Sequence, residues 1–467
     1  MKKTTNKWMA LTITSLCSLM ATFNASSVNI ANPILASKFG ITMDVVQWIT
    51  TIYLIILCAF TLLFGRLGDR FGAHRVYIPG LIVFIIGSLA CGLSGGLGLL
   101  LVFRALQAVG AAMMIATSMG LVATIFPGNQ RGMALGLNVL MVGVGNLSGP
   151  ALGGLILSNL DWPFIFYLNL PVGAVSLVLA LFKLRSPIPP QKTSKKTDVP
   201  GTVLLAAFIT ALIVCLSGNF KGSVWFAPAA VAFLVIFLRV ERKQELPVFD
   251  YSLMKVKRFS YGNLIAFLSY ASTMMVMFQL PFFLNAVWKI SVGTAGLLLM
   301  VSAVSMGLAG PLSGVISDKI GPFSVMLPSI CLLITGQATT LFLSENVSYP
   351  HFIACLALSG GGMGLLNTPN NSDIMSSVGR EMSGYASGFV ATNRNLAFCV
   401  GTAASAGLFP VLMDHLTEPL GYTAAYLTSF RAILCISITL SVCSLVLCIV
   451  LRTKRSRGDG SPAGGQA

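Results

Sequence analysis

One short hydrophilic stretch interrupts an otherwise apolar chain: Gly65-Arg66-Leu67-Gly68-Asp69-Arg70-Phe71-Gly72-Ala73-His74-Arg75. Its eleven residues hold five charged or titratable side chains and three glycines. Glycines let two helix ends approach closely, because no side chain holds the backbones apart. Asp69 can cap the positive N-terminal end of a neighbouring helix or pair with an arginine. The arginines are expected to lie at an anionic, cytoplasmic-facing membrane surface.

The composition is that of a membrane protein. Of 467 residues, 55% are hydrophobic and 9% are charged, and the mean hydropathy is +0.84. A soluble domain carries about 25% charged residues, so the apolar runs are expected to cross a membrane, each with about 20 residues. The sequence predicts about fourteen spans, near 9–31, 45–64, 76–95, 97–122, 134–157, 164–182, 201–217, 223–240, 262–287, 293–315, 324–343, 351–370, 384–410 and 428–451. Turn-like interruptions are predicted at Asn32-Pro33, Phe126-Pro127-Gly128, residues 186–190 and Pro410.

The positive charge follows a membrane pattern. A net charge of +16 would suggest nucleic acid as the partner of a soluble protein, but here the basic residues cluster in alternate loops. That pattern places both termini in the cytoplasm, and it excludes a nucleic-acid role in favour of contact with membrane lipids of the cell membrane. The ten cysteines all lie in apolar runs without a C-x-x-C pair. They are expected to be buried hydrophobes, so we expect neither disulfides, a metal nor a cofactor.

These residues carry a family resemblance. The stretch 65–75 is similar to the loop 2–3 signature of the major facilitator superfamily of secondary transporters, with Ala73 and His74 where that family usually has basic residues. The stretch Gly314–Gly321 repeats the pattern and indicates an internal repeat. The resemblance implies an all-α polytopic fold and a cytoplasmic gating loop. We expect that loop to contain Gly65, Asp69, Arg70, Gly72, Arg75, Asp318 and Lys319.

The repeat also predicts the domain organisation. Two pseudo-symmetric six-helix bundles are expected at 1–200 and 261–451, separated by two inserted spans and a cytoplasmic linker at 201–260. Residues 452–467 are expected to form a basic and then disordered cytoplasmic tail. The insertion resembles the fourteen-span drug:proton antiporter branch of the superfamily.

Further motifs agree with that branch. Residues 101–112 resemble the family's R-x-x-Q-G-x-G motif, in which the arginine is linked to proton coupling, so Arg104 and Gln107 are coupling candidates. The alternative is that Arg104 only satisfies polar groups of neighbouring helices. Residues 161–173 resemble a signature of the fourteen-span branch. Span five fits the glycine-rich motif that characterises antiporters in the superfamily, through Gly145, Gly149, Pro150, Gly153 and Gly154.

Acidic residues are scarce in the predicted spans. Asp373 lies closest to the middle of one and is the third coupling candidate. Fourteen-span antiporters typically carry an aspartate where this chain has Asn24, which can neither carry a proton nor neutralise a cationic drug. Arg394 lies inside span thirteen. We therefore hypothesise a cavity for neutral or weakly anionic amphipathic molecules, with substrate-binding candidates Asn24, Ser27, Asn29, Asn138, Gln279, Phe282 and Arg394.

The functional expectation is a monomeric secondary transporter that works by alternating access. It is expected to export amphipathic drugs or related small molecules in exchange for protons. A dedicated exporter of one endogenous metabolite or lipid-like compound, or an uncoupled membrane sensor, are the alternatives. An enzyme is not expected, because the three histidines are widely separated and form no catalytic constellation. The sequence leaves the substrate, the coupling ion and the direction of transport open.

Overall fold

The computed structural model describes residues 6–41, 43–46, 48–184, 199–217, 225–242, 244, 249, 251–290, 292–379 and 382–458, and it is all-helical there. The N-terminal helices are α1 (Lys7–Phe39), α2 (Met43–Val46), α3 (Trp48–Phe71), α4 (Ala73–Gly92), α5 (Leu97–Ile125), α6 (Gly128–Asn159), α7 (Phe164–Tyr167) and α8 (Asn169–Lys183). The middle helices are α9 (Val199–Ser217), α10 (Phe226–Glu241) and α11 (Tyr251–Met254). The C-terminal helices are α12 (Lys257–Ala286), α13 (Val292–Ile320), α14 (Pro322–Thr340), α15 (Tyr349–Ser376), α16 (Ser383–Leu420) and α17 (Tyr422–Gly458).

Each of the fourteen predicted spans overlaps a helix in the described part of the chain. Within the described residues, eleven stretches are long and apolar enough to cross a membrane. The apolar parts of α6 and α9 are shorter, at Met133–Gly145 and Pro200–Leu216, and α10 has 16 residues. The chain is therefore an all-helical membrane protein.

Of the four predicted turns, one is confirmed, two are wrong and one lies outside the described residues. The turn at Phe126-Pro127 is confirmed, since it separates α5 from α6. The turns predicted at Asn32-Pro33 and Pro410 are wrong, because both stretches continue as helix inside α1 and α16. Proline is tolerated inside such helices because neighbouring helices and hydroxyl side chains satisfy the freed backbone groups. Residues 186–190 lie outside the described part of the chain.

The internal repeat recurs in the backbone. Gly72, between α3 and α4, has φ +94°, and Gly321, between α13 and α14, has φ +87°. Only glycine adopts this conformation without strain. The two related sequence stretches therefore make the same helix-to-helix turn.

The N-terminal and C-terminal helices meet near Gly72. A Cβ atom on Gly65 of α3 would lie 2.5 Å from the carbonyl oxygen of Gly384 in α16. A Cβ on Gly136 of α6 would lie 2.8 Å from the carbonyl oxygen of Gly310 in α13. Small residues thus let the backbones touch, and they close the molecule at this end. We call it the Gly72 end.

The middle helix α9 packs against both α3 and α16. Leu205 and Ile209 of α9 share one apolar cluster with Ile55 of α3 and Val390 of α16. The inserted helices therefore lie along the seam between the N-terminal and C-terminal helices.

Candidate functional site

The Asp69 carboxylate caps α16. Its two oxygens accept hydrogen bonds from the backbone N–H groups of Gly384 and Tyr385, each at 2.7 Å. These N–H groups belong to the first turn of α16, where the helix offers no backbone acceptor. The guanidinium of Arg66 lies 4.2 Å from the centroid of the Tyr385 ring. The predicted gating residue thus ties the N-terminal helices to the C-terminal ones.

The other predicted gating residues are spread over the Gly72 end. Gly72 makes the turn, Arg70 lies 5.0 Å from the Phe71 ring centroid, and Arg75 is exposed. Asp318 and Lys319 lie on the exposed surface at the end of α13. The repeats therefore share a turn, but the aspartate of the first repeat caps α16 whereas that of the second lies on the exposed surface.

Arg104 is fully buried among neutral groups of α1, α3 and α5. Its Nε donates to the carbonyl oxygen of Ile49 at 3.1 Å. Its Nη1 donates to Oε1 of Gln107 at 2.8 Å and to Oδ1 of Asn24. The rings of Tyr53 and Phe166 have centroids 4.4 and 5.7 Å from the guanidinium carbon.

The three coupling candidates fall into two places. Gln107 joins Arg104 and donates to the hydroxyl of Ser88 at 2.7 Å. Asp373 instead ends α15, where its buried carboxylate forms an ion pair with Arg258 at the start of α12. The structure therefore brings Arg104 and Gln107 together and leaves Asp373 in a separate cluster.

The glycine-rich motif of α6 faces α1. Cβ atoms on Gly145 and Gly149 would lie 2.5 Å from the carbonyl oxygen of Leu19 and 2.9 Å from the backbone nitrogen of Ser27. A Cβ on Gly153 would lie 3.4 Å from Cβ of Ser27, and one on Gly154 would meet nothing within 4 Å. The side chain of Pro150 lies outside the described residues. The motif thus requires glycine for close helix packing at Gly145 and Gly149, and Gly153 makes an ordinary contact.

A central cleft lies between the N-terminal helices and α16. Its free volume is about 10 Å³, which is room for about one water molecule, so the cleft is nearly closed in this structure. The Nδ2 of Asn138 reaches the hydroxyls of Ser18 and Ser118 at 3.3 and 3.5 Å across its wall. Among the described residues none that lines the cleft is acidic. The lining comprises Ser18, Thr22, Ile115, Ser118, Met119, Asn138, Val142 and Arg394.

The predicted substrate-binding residues divide between the cleft and other places. Asn138 and Arg394 line the cleft, whereas Asn24 contacts Arg104. Gln279 bonds to the hydroxyl of Ser405 at 3.0 Å, and Phe282 is 53% exposed on the outside of α12. Neither therefore belongs to the described cleft. Ser27 is buried against α6, and the side chain of Asn29 lies outside the described residues.

Sequence reasoning missed the hydroxyl groups of the cleft. Ser18 and Thr22 belong to a row of hydroxyl residues at every fourth position of α1, from Thr14 to Ser26. Residues at this spacing share one helix face. The row was therefore visible in the sequence as a polar stripe within a membrane helix. No cluster of three or more potential metal ligands occurs among the described residues.

The comparison with known families decides the identity. The family model of the Major Facilitator Superfamily matches residues 14–402 and again residues 262–467. This chain belongs to the Major Facilitator Superfamily. Members of this superfamily are transporters and not enzymes, and the chain is accordingly a membrane transporter.

Curated relatives within the superfamily bear several names. The riboflavin transporter RibZ of Clostridioides difficile (strain 630) is 34% identical, over 97% of this chain and 99% of the relative. The uncharacterized transporter YebQ of Escherichia coli (strain K12) is 30% identical, over 90% of this chain and 92% of the relative. The multidrug resistance protein Stp of Mycobacterium tuberculosis (strain CDC 1551 / Oshkosh) is 27% identical, over 88% and 77%.

Solved structures share the superfamily fold. The human organic anion transporter MFSD10 (TETRAN) has a TM-score of 0.66 at 15% identity, covering 93% of this chain and 99% of that one. The proton:xylose symporter XylE has a TM-score of 0.65 at 13% identity, covering 93% and 94%. At these identities the likeness concerns the fold alone.

Proposed function

We propose that this superfamily member transports neutral or weakly anionic amphipathic small molecules across the cytoplasmic membrane by alternating access. The observation that carries the proposal is the lining of the nearly closed cleft, which offers uncharged hydrogen-bonding groups and one arginine. Four of these groups come from the N-terminal helices, namely Ser18, Thr22, Ser118 and Asn138, and Arg394 comes from the C-terminal helices. A site shared between two bundles can face either side of the membrane as the bundles rock.

The moving parts follow from the contacts. We propose that the N-terminal and C-terminal helices form two bundles within a fourteen-span protein whose termini both lie in the cytoplasm. The clustering of basic residues in alternate loops supports a cytoplasmic location for the Gly72 end. The Asp69 cap and the glycine contacts of α3 with α16 then hold the carrier closed to the cytoplasm. Release of this cap would open the cleft to the cytoplasm.

The first substrate to test is riboflavin. It is the compound named for the relative RibZ, which matches this chain over nearly its whole length. Riboflavin combines a flat aromatic ring system with a polyhydroxyl chain and carries no net charge at neutral pH. The hydroxyl and amide groups of the cleft suit such a molecule better than a cation, because the described residues that line the cleft include an arginine and no carboxylate.

The second candidate function is proton-driven efflux of several drugs. It is favoured by the likeness to the multidrug resistance protein Stp and by the antiporter-type glycine motif of α6. In this function, Arg104 with Gln107, or Asp373 with Arg258, would take part in proton coupling. Arg104 and Gln107 lie on α5 and bond to Asn24 of α1 and Ser88 of α4, and the Asp373–Arg258 ion pair joins α15 to α12. A change in these hydrogen bonds would therefore alter the packing between helices.

The test is transport in proteoliposomes. Riboflavin is fluorescent, as is the cationic drug ethidium, so both fluxes are read optically with and without an imposed pH gradient. We expect saturable riboflavin counterflow, and an increase of its KM by about 10-fold in Asn138→Leu and Arg394→Gln, as for loss of one buried hydrogen bond. Arg431→Gln is the matched control, because Arg431 is an exposed arginine on α17 that bonds the carbonyl oxygen of Leu341.

The outcomes separate the two functions. Movement of riboflavin and not of ethidium supports the neutral-substrate proposal. Ethidium efflux driven by the pH gradient, with no movement of riboflavin, would replace it by the drug-efflux function. Equal KM changes in the cleft variants and in Arg431→Gln would contradict the proposal that the cleft binds the substrate.

A further inference from the structure

Arg104 is a buried cation whose described partners are all neutral. Its hydrogen bonds go to a backbone carbonyl and to two side-chain amides, those of Asn24 and Gln107. Arg104 and Asn24 are both 0% exposed. Burying a charge without a counter-charge costs free energy, so a negative group beside Arg104 would stabilise the folded protein.

Two hydrogen-bond donors at the Arg104–Asn24 contact have no partner among the described residues. They are Nη2 of Arg104 and Nδ2 of Asn24, and both are buried. Each belongs to the same planar group as the atom that joins the pair, Nη1 or Oδ1, and so lies about 2.3 Å from that atom by covalent geometry. The two unpartnered donors, one on each member of the Arg104–Asn24 pair, therefore lie within about 7 Å of each other.

The aromatic rings around Arg104 do not replace a counter-ion. The faces of Tyr53 and Phe166 attract the guanidinium through their quadrupoles but accept no conventional hydrogen bond from Nη2 or Nδ2. A neutral acceptor would satisfy the two donors but would not compensate the positive charge of Arg104. An anion would satisfy the donors and compensate the charge.

We propose that the Arg104–Asn24 pair binds a small monovalent anion, with chloride as the probe. Nη2 of Arg104 and Nδ2 of Asn24 donate to the anion, and its charge compensates the guanidinium. An aspartate at position 24 would supply that charge itself, so the asparagine is what makes the site selective for an external anion. The proposal does not depend on which substrate the cleft transports.

The experiment is thermal unfolding of the purified full chain in detergent micelles, in sodium chloride against sodium gluconate at equal ionic strength. Gluconate is too large for a buried site between two side chains. We expect a saturable rise of the unfolding midpoint by about 2 °C or more in chloride, and the same rise in bromide. Asn24→Asp should unfold at the same temperature in both salts, because its carboxylate replaces the anion.

Asn138→Asp is the matched control. It makes the same chemical change at a buried asparagine that contacts Ser18 and Ser118 instead of Arg104, and it should keep the chloride effect. Identical unfolding of the unsubstituted protein in chloride and gluconate would overturn the proposal. A chloride effect that survives in Asn24→Asp and is lost in Asn138→Asp would also overturn it, by moving the site to Arg394 in the cleft.

A second measurement covers the case in which Asn24→Asp does not fold. Equilibrium binding of radioactive chloride to the unsubstituted chain should reach one ion per protein, and Arg431→Gln should bind equally. Arg104→Gln should bind none. Absence of saturable binding to the unsubstituted protein would contradict the proposal, whatever the variants do.

Discussion

Asp69→Asn tests whether the cap on α16 holds the Gly72 end closed. The carboxylate accepts two backbone N–H bonds at 2.7 Å, from Gly384 and Tyr385. An asparagine keeps one acceptor and turns an NH₂ group toward the other N–H. Hydrogen bonds to charged groups contribute about 1.5–3 kcal/mol each, so the substitution should cost the closed state about 2–3 kcal/mol. That is an increase of about 30- to 150-fold in the ratio of open to closed protein.

The readout is maleimide labelling of two thiols buried in the seam. Cys58 of α3 and Cys399 of α16 are 0% and 7% exposed and lie in contact. A chain that keeps these two cysteines and replaces the other eight reports seam opening alone. The labelling rate should follow the open population and rise by about 30- to 150-fold in Asp69→Asn, because the closed seam shields both thiols.

Asp318→Asn is the matched control for this prediction. Asp318 occupies the equivalent position of the second repeat but lies on the exposed surface. Its substitution should leave the labelling rate within about 2-fold of the parent chain, as surface changes generally do. Equal acceleration by both substitutions, or none by Asp69→Asn, would refute the cap as the element that holds the seam closed.

Two further predictions concern packing and charge. Gly145→Ala should lower the yield of folded protein, because its Cβ would lie 2.5 Å from the Leu19 carbonyl oxygen. Gly154→Ala is the control, because its Cβ would meet nothing within 4 Å. Fluorescence-detected size-exclusion chromatography should show a smaller peak of folded protein for Gly145→Ala and an unchanged peak for Gly154→Ala. Arg258→Gln should destabilise the protein by about 2–3 kcal/mol, because it leaves the buried carboxylate of Asp373 without its ion-pair partner; the loss is smaller than for a fully buried pair, since the Arg258 side chain is 38% exposed. Thermal unfolding should recover when Asp373→Asn is added, and a doubly destabilised double variant would contradict the pairing.

The class of protein and its local motifs could be predicted from the sequence. Apolar runs of membrane length predicted helices that the structure contains, and the repeated G-x-x-x-D-[KR]-x-G pattern predicted two related turns, now seen at Gly72 and Gly321. These features depend on residues close together in the chain. Helix ends were harder to place, because proline in a membrane helix does not end it when neighbours satisfy the freed backbone groups.

The contacts that make the site could not be predicted from one sequence. Asp69 meets Gly384 across 315 positions, and Arg104 meets Asn24 across 80. Helices that are apolar on all sides do not reveal which neighbour each face meets. The placement of Asp373 with Arg258, apart from Arg104, likewise depends on packing that chain spacing does not express. The hydroxyl row of α1 was the exception, since its four-residue spacing alone marks a polar face.

The most direct test of alternating access is a reversible cross-link of the seam. In the chain that keeps Cys58 and Cys399, oxidation with copper phenanthroline should join α3 to α16 by a disulfide, because the two thiols lie in contact. Riboflavin counterflow in proteoliposomes should then stop, and reduction with dithiothreitol should restore it. Counterflow by the Cys58→Ser variant should be unaffected by either reagent. Undiminished transport after complete cross-linking would contradict a mechanism in which these helices must separate.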